Sequence, residues 1–249
     1  MEDTPALAPG PSANRQLILR VGHRGAAGHA PENTLAAIRK GISLGADFIE
    51  VDVQRTRDGR LVVMHDERVD RTTNGSGPVS SLTWDELQLL DAGNGERVPS
   101  LEAVLAATSG HAGLMLEAKA AGTGPAIHHA VQSSAFSGPV IYASFLHAEI
   151  LAIRKIDPLA TTMALIEFVP FVDAAFAHDA GANMAGLPFE LATAEFIATL
   201  HAAGIEVFVY TVNEPRLIQH AIDLGVDGII SDYPDRIPTA LTPHLKADS

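Results

Sequence analysis

The sequence predicts an α/β fold: a TIM (β/α)8 barrel carrying a small inserted subdomain after the third strand. Three observations lead there. The chain has 249 residues, close to the roughly 250 of one such barrel. From about Leu17 onward, short apolar runs alternate with amphipathic stretches, the pattern of parallel strands joined by helices. The runs are near-continuously apolar, as strands covered on their outer face by helices are. An open doubly wound sheet is the alternative, but no Gly-rich dinucleotide fingerprint follows the first strand.

The N-terminal 14 residues are acidic and rich in Pro and Gly, without a basic start or an apolar stretch. They read as a flexible tail rather than a secretory signal, and residues 15–249 as one catalytic barrel domain. Nine strands are predicted: Leu17–Gly22, Phe48–Val53, Leu61–His65, Gly113–Ala118, Val140–Ala143, Thr161–Leu165, Asn183–Gly186, Glu206–Thr211 and Gly228–Ser231. A barrel has eight positions, so one of the nine is wrong or lies outside it. Thr34–Leu44 reads as a helix with Leu35, Ile38 and Ile42 on one face and Gly45 as its C-terminal cap. Thr83 to Glu86 fits a capping box opening a helix to Leu90. Thr193–Ala203 ends at Gly204, and Glu214–Leu224 ends at Gly225 with Asn213 as candidate N-cap. Residues 66–112 break the rhythm: a polar, turn-rich start, a helical patch, then a second short helix. A connection of that length is expected to be an inserted subdomain over the barrel mouth.

Composition narrows function. With 17 Lys and Arg against 30 Asp and Glu, the formal net charge is −13. Nucleic acid and anionic membrane surfaces select basic patches, so neither nucleic acid nor stable membrane association is expected. A phosphate-bearing substrate would need local positive charge. There is no cysteine, which removes disulfides, thiolate nucleophiles and Cys-based metal sites. No apolar run approaches the roughly 18 residues of a membrane helix; the reading is a cytoplasmic protein.

Glu50 and Asp52 lie two apart at a predicted strand end, so they share a side of the strand. That side is either the packed interior or the helix layer. Adjacent inward carboxylates repel unless a cation lies between them. Glu117 and Lys119 repeat the spacing at another strand end. Barrel active sites are built from several C-terminal strand ends. Glu50, Asp52 and Glu117 there make an oxygen-rich site for a hard divalent cation, Mg2+ or Ca2+. Of eleven histidines, His23 and His65 each directly end a predicted strand, and two imidazoles can serve as base and acid. The other nine, in predicted loops and helices, are expected at the surface. Arg24 and Lys119 are the cations within these motifs, suited to holding phosphate. The pattern predicts phosphoryl chemistry.

These segments resemble the glycerophosphodiester phosphodiesterase family. The matching residues are Gly22-His23-Arg24-Gly25 with Pro31-Glu32-Asn33-Thr34, Glu50-Val51-Asp52-Val53, Thr56-Arg57-Asp58-Gly59, and His65-Asp66 with Arg71 to Gly75. They continue in Leu116-Glu117-Ala118-Lys119, Ala143-Ser144-Phe145, Tyr210-Thr211-Val212-Asn213 and Gly228 to Pro234. The resemblance implies a TIM-barrel hydrolase that takes small glycerophosphodiesters, such as glycerophosphocholine or glycerophosphoethanolamine, to glycerol 3-phosphate and an alcohol. It implies Glu50, Asp52 and Glu117 as metal ligands, His23 and His65 as the acid/base pair, and Arg24 and Lys119 on the phosphate. Residues 66–112 match the family's insertion. Glu32 is a further candidate through the first βα loop, and Asn33 or Thr34 caps the following helix. Tyr210 stands where the family usually has Trp, and keeps an aromatic wall for the substrate. Water could attack phosphorus directly, or the neighbouring glycerol hydroxyl could attack first. The competing function is phospholipase-D-like hydrolysis of lysophospholipids on the same barrel.

Overall fold

The computed structural model describes residues 18–168 and 173–239. The predicted N-terminal tail lies outside the described residues. Among the described residues nine strands form: β1 Leu19–Gly22, β2 Phe48–Arg55, β3 Leu61–Val63, β4 Gly113–Ala118, β5 Val140–Ser144, β6 Thr161–Leu165, β7 Met184–Pro188, β8 Glu206–Tyr210 and β9 Gly228–Ser231. Eight of them are parallel and hydrogen-bonded in the order β1-β9-β8-β7-β6-β5-β4-β2, and β1 pairs with β2 to close the barrel. The ninth is β3. It runs antiparallel to the outer half of β2, with Val63 opposite Val53 and Leu61 opposite Arg55. The surplus strand is therefore Leu61–Val63, a hairpin partner outside the barrel, and it stops two residues short of His65.

Helices α1 Leu35–Ser43, α3 Leu101–Thr108, α4 Thr123–Gln132, α5 His147–Ile156, α6 Ala175–Asp179, α7 Ala194–Ala202 and α8 Pro215–Leu224 clothe the sheet. Thr34 caps α1 by accepting from the Ala37 N–H. Asn213 caps nothing: Glu214 holds the N-cap position of α8 without a side-chain bond, and Asn213 is spent on Asp232. Helix α2, Trp84–Leu87, carries the predicted capping box between Thr83 and Glu86 but ends three residues early.

The insertion has its own small apolar cluster of Met64, Val69, Val79, Leu87 and Val98 beneath Trp84 and Leu90. It is narrower than residues 66–112, because Leu101, Val104 and Leu105 of α3 return to the cluster between sheet and helices. The surface expectation for the other histidines fails at His128; His29, His111, His129, His178, His201 and His220 are exposed and His147 is half-buried. His128 is buried, with its ring nitrogen 3.2 Å from the Tyr142 hydroxyl. His29, His147 and His201 bond Asp235, the Leu165 carbonyl and Asp227, and His244 lies outside the described residues.

Strand register positions the site. The barrel interior is packed by Val21, Phe48, Met115, Ile141, Met163, Phe208 and Ile230. Side chains alternate along a strand, so positions two and four residues further share the interior face. Within the strands those positions include Glu50, Asp52, Glu117 and Tyr210, and just past the strand ends His23, Lys119, Phe145 and Glu167 line the same cavity. The interior face thus changes from apolar to chemical at the C-terminal end of the barrel.

Candidate active site

The first βα turn is built for close approach. A Cβ on Gly22 would lie 2.0 Å from the Gly25 carbonyl oxygen, and one on Gly41 of α1 would lie 2.6 Å from the same atom. Between the two turn glycines, Arg24 takes a left-handed φ of 49°, uncommon outside Gly and Asn. Its N–H thereby donates to Glu50 Oε2 at 2.7 Å. Replacing Gly22 by Ala forces the turn apart. We expect a Tm lower by on the order of 5 °C, read by thermal denaturation, and lower activity because His23 and Arg24 move with the turn.

Glu50, Asp52 and Glu117 converge. Each offers one carboxylate oxygen within 4.8 Å of the others, and they are only 5%, 1% and 8% exposed. The pairing of β2 with β4, Glu50 opposite Met115 and Asp52 opposite Glu117, makes this happen. Burial, then the charges of Asp52 and Glu117, push the Glu50 carboxyl well above its usual range. Burial and the Asp52 charge push Glu117 up to about 7, against the Lys119 charge. Burial also opposes ionisation of Asp52, but Lys119, His65 and Arg24 with the Asn33 hydrogen bond hold it below the usual range. Three buried carboxylates that resist ionising together are a donor set that fits a divalent cation.

Lys119 Nζ lies 2.8 Å from Glu117 Oε1 and 3.4 Å from Asp52 Oδ1. Arg24 Nη1 donates to Glu32 Oε1 at 2.7 Å. Its buried Nε has no hydrogen-bond partner and sits 3.6 Å from Asp52 Oδ2.

The hairpin of β2 and β3 carries His65 back alongside Asp52, whose carbonyl accepts the Met64 N–H at 2.9 Å. Gln54 Nε2 donates to the carbonyls of His65 and Asp66 at 3.2 and 2.6 Å, which fixes the peptide beyond the strand. Both histidines are oriented at Nδ1. His23 Nδ1 is 2.7 Å from Asp232 Oδ1, and His65 Nδ1 is 2.7 Å from Asp66 Oδ1. Each orienting carboxylate is held in turn. Asp232 Oδ2 accepts from Asn213 Nδ2 at 2.6 Å. Arg71 donates to both oxygens of Asp66 and both of Glu32, at 2.7 to 2.9 Å. The Arg71 hydrogen bond leads the causes that keep Asp66 far below the usual carboxylate range. Arg71 comes from the insertion, so the insertion is tied to the site through Glu32 and Asp66.

All eight residues singled out from sequence line one cavity of ≈ 490 Å³: His23, Arg24, Glu50, Asp52, His65, Glu117, Lys119 and Tyr210. Glu32 joins through the two arginines. Asn33 lies beside the site rather than capping a helix: its Nδ2 donates to Asp52 Oδ2 at 2.8 Å. The orienting group Asp232–Asn213 and the pair Asp66–Arg71 had no role in the site assigned from sequence, Asn213 being read as a helix cap. A carboxylate directly after a candidate histidine was the signal for Asp66. Asp232 is 209 residues from His23, a separation no local pattern spans.

The sequence matches the glycerophosphoryl diester phosphodiesterase family over residues 23–236. A glycerophosphodiester phosphodiesterase of Caldanaerobacter subterraneus subsp. tengcongensis is 35% identical over 240 residues, covering 88% of this chain and 96% of that protein. One of Bacillus subtilis is 33% identical over 247 residues, covering 88% and 84%. Among solved structures, an Oleispira antarctica phosphodiesterase in complex with the product sn-glycerol-3-phosphate superposes with a TM-score of 0.83 at 27% identity, covering 89% of this chain and 95% of that one. Extent, identity and shared barrel agree: the chain belongs to the glycerophosphoryl diester phosphodiesterase family and is a phosphoric diester hydrolase.

Proposed function

We propose that this enzyme hydrolyses small glycerophosphodiesters, among them glycerophosphocholine and glycerophosphoethanolamine, to glycerol 3-phosphate and an alcohol, using a divalent ion and the two oriented histidines. The observation that carries the reading is the meeting of three buried carboxylates with two carboxylate-oriented imidazoles in one cavity. The product bound in the Oleispira relative supports the same end product.

Glu50, Asp52 and Glu117 would hold Mg2+ or Ca2+. When bound, the ion supplies positive charge beside the phosphoryl oxygens. Lys119 adds a second cation, and burial has not removed its proton: Asp52 and Glu117 raise its affinity for it against desolvation. Arg24 also lines the cavity, and its guanidinium charge favours an anionic phosphate there. Asp232 and Asp66 accept at Nδ1 of His23 and His65, which leaves Nε2 of each ring to take or give a proton at the reacting oxygens. One histidine acts as base and the other as acid.

The test is direct. With Mg2+ or Ca2+, the protein is expected to release glycerol 3-phosphate from glycerophosphocholine, and chelator should abolish turnover until metal is restored. Chelator-resistant turnover would remove the metal from the mechanism. Comparing choline release from glycerophosphocholine and lysophosphatidylcholine separates this reading from the phospholipase-D-like one; a faster rate on the lysolipid would favour the latter. No described helix is long and apolar enough to cross a membrane.

A further inference from the structure

The cavity has two ends of opposite character. One end, at β1, β2, β4 and the β2–β3 hairpin, is densely charged: Arg24 and Lys119 lie there with the two imidazoles and the three carboxylates proposed to hold the ion. The other side is formed by Leu146, Leu165, Pro188 and Tyr210, and it carries one charged lining residue among those described, Glu167; Phe145 stands between the two ends, with Lys119 Nζ 5.9 Å from its ring centroid. Glu167 is an exposed residue two positions beyond the end of β6, and its side chain lines the cavity. In the closed strand order β6 is diametrically opposite β1. The carboxylate of Glu167 thus faces the cavity from across the barrel mouth from His23 and Arg24. Among the described residues it has no hydrogen-bond or ion-pair partner.

The aromatic wall beside it is fixed. Phe145 and Tyr210 meet edge to face, with ring centroids 6.0 Å apart at 86°. The Tyr210 hydroxyl donates to the Ile166 carbonyl at 2.6 Å, the residue just before Glu167. Tyr210 therefore offers the cavity its ring rather than its proton, and its hydrogen bond holds the segment that carries Glu167. Burial, then the charge of Glu167, raises the Tyr210 phenol far above its usual range, as expected for a carboxylate close to the ring. A carboxylate without a partner among the described residues, beside the Tyr210 ring in a cavity otherwise apolar on that side, is the chemistry that binds an ammonium. It is a poor host for a second anion, and offers few partners to a polyol.

We infer that this end is a subsite for a cationic alcohol, so that the preferred diester is zwitterionic, its phosphate at the Arg24–Lys119 end and its ammonium between Glu167 and Tyr210. The inference rests on the diesterase reading above and names its substrate class. Acidic or uncharged leaving alcohols would lose the contact to Glu167.

The experiment compares kcat/KM for glycerophosphocholine with that for its uncharged isostere, in which carbon replaces the quaternary nitrogen, and adds glycerophosphoglycerol. The wild type is expected to favour the choline ester over the isostere by about tenfold. Glu167→Gln should cut that ratio by about fivefold, and Glu167→Lys should invert it. Tyr210→Phe should retain the ratio and Tyr210→Leu lower it. Both rates come from one preparation, so partial misfolding cancels from each ratio. A ratio near one in the wild type, or one indifferent to Glu167, overturns the inference while leaving the diesterase reading intact. No turnover of any diester overturns both.

Discussion

His65→Ala should lower kcat for glycerophosphocholine by about 10^2- to 10^4-fold, the contribution typical of a positioned acid or base, and His23→Ala should do the same. Both side chains are partly exposed at the cavity, so truncation leaves no sealed void and the Tm should stay close to wild type. If the histidines act as a pair, the double variant should be little worse than either single one. Single-turnover measurements keep product release from masking the effect. Near-normal turnover by either variant would take that residue out of the chemistry. Asp66→Asn and Asp232→Asn extend the test. Each keeps the shape beside Nδ1 but removes the charge, and a smaller fall than in the alanine variants is expected. Equal falls would mean that the carboxylates do more than orient.

That the eight candidate residues would meet in one cavity was legible because barrel geometry turns a two-residue spacing into convergence. Glu50 and Asp52, or Glu117 and Lys119, share a strand face whatever the surroundings. Strand β2 then places them beside β4 through its register. What sequence left open was whether that face was the interior or the helix layer. Phe48 and Met115 decide it, since both pack in the barrel centre. His65 was found for an incomplete reason. It does not end a barrel strand; an antiparallel hairpin returns it to the mouth. An apolar run of four residues, Leu61 to Met64, looks the same in either setting, so periodicity could not separate them. The Arg71 bridge to Glu32 and Asp66 was illegible for a different reason. It depends on how the insertion folds back, and polar turn-rich sequence carries little directional information. Of the two cap candidates the helix N-terminus fell to Thr34, and Asn33, at a left-handed φ of 58°, turned to Asp52.

Glu50→Gln should change stability and activity in opposite directions. Gln keeps an oxygen for the Arg24 N–H and removes a charge that burial, Asp52 and Glu117 all oppose. The metal-free variant should therefore melt higher than metal-free wild type at neutral pH. Activity should fall by at least about 100-fold, beyond the 10- to 100-fold typical of residues one step removed from a metal. The pH dependence follows from the same carboxyls. Glu50 lies well above its ordinary 4.5, and Glu117, ordinarily 4.5, is pushed up to about 7. The folded, metal-free protein then binds more protons than the unfolded chain across that interval, so its stability falls as pH rises from about 5 to 7. Asp52 runs the other way, but its contribution is lost only below its ordinary 3.8, outside this window. Mg2+ or Ca2+ takes the ionised carboxylates, so the Tm rise on adding metal should be small near pH 5 and grow towards pH 7 and above. Calorimetry of wild type and Glu50→Gln, with metal and with chelator, checks all three statements. A metal-free Tm that is flat over this range, unmoved by metal and unraised in the variant, would mean that the three carboxylates are not held as a cation site.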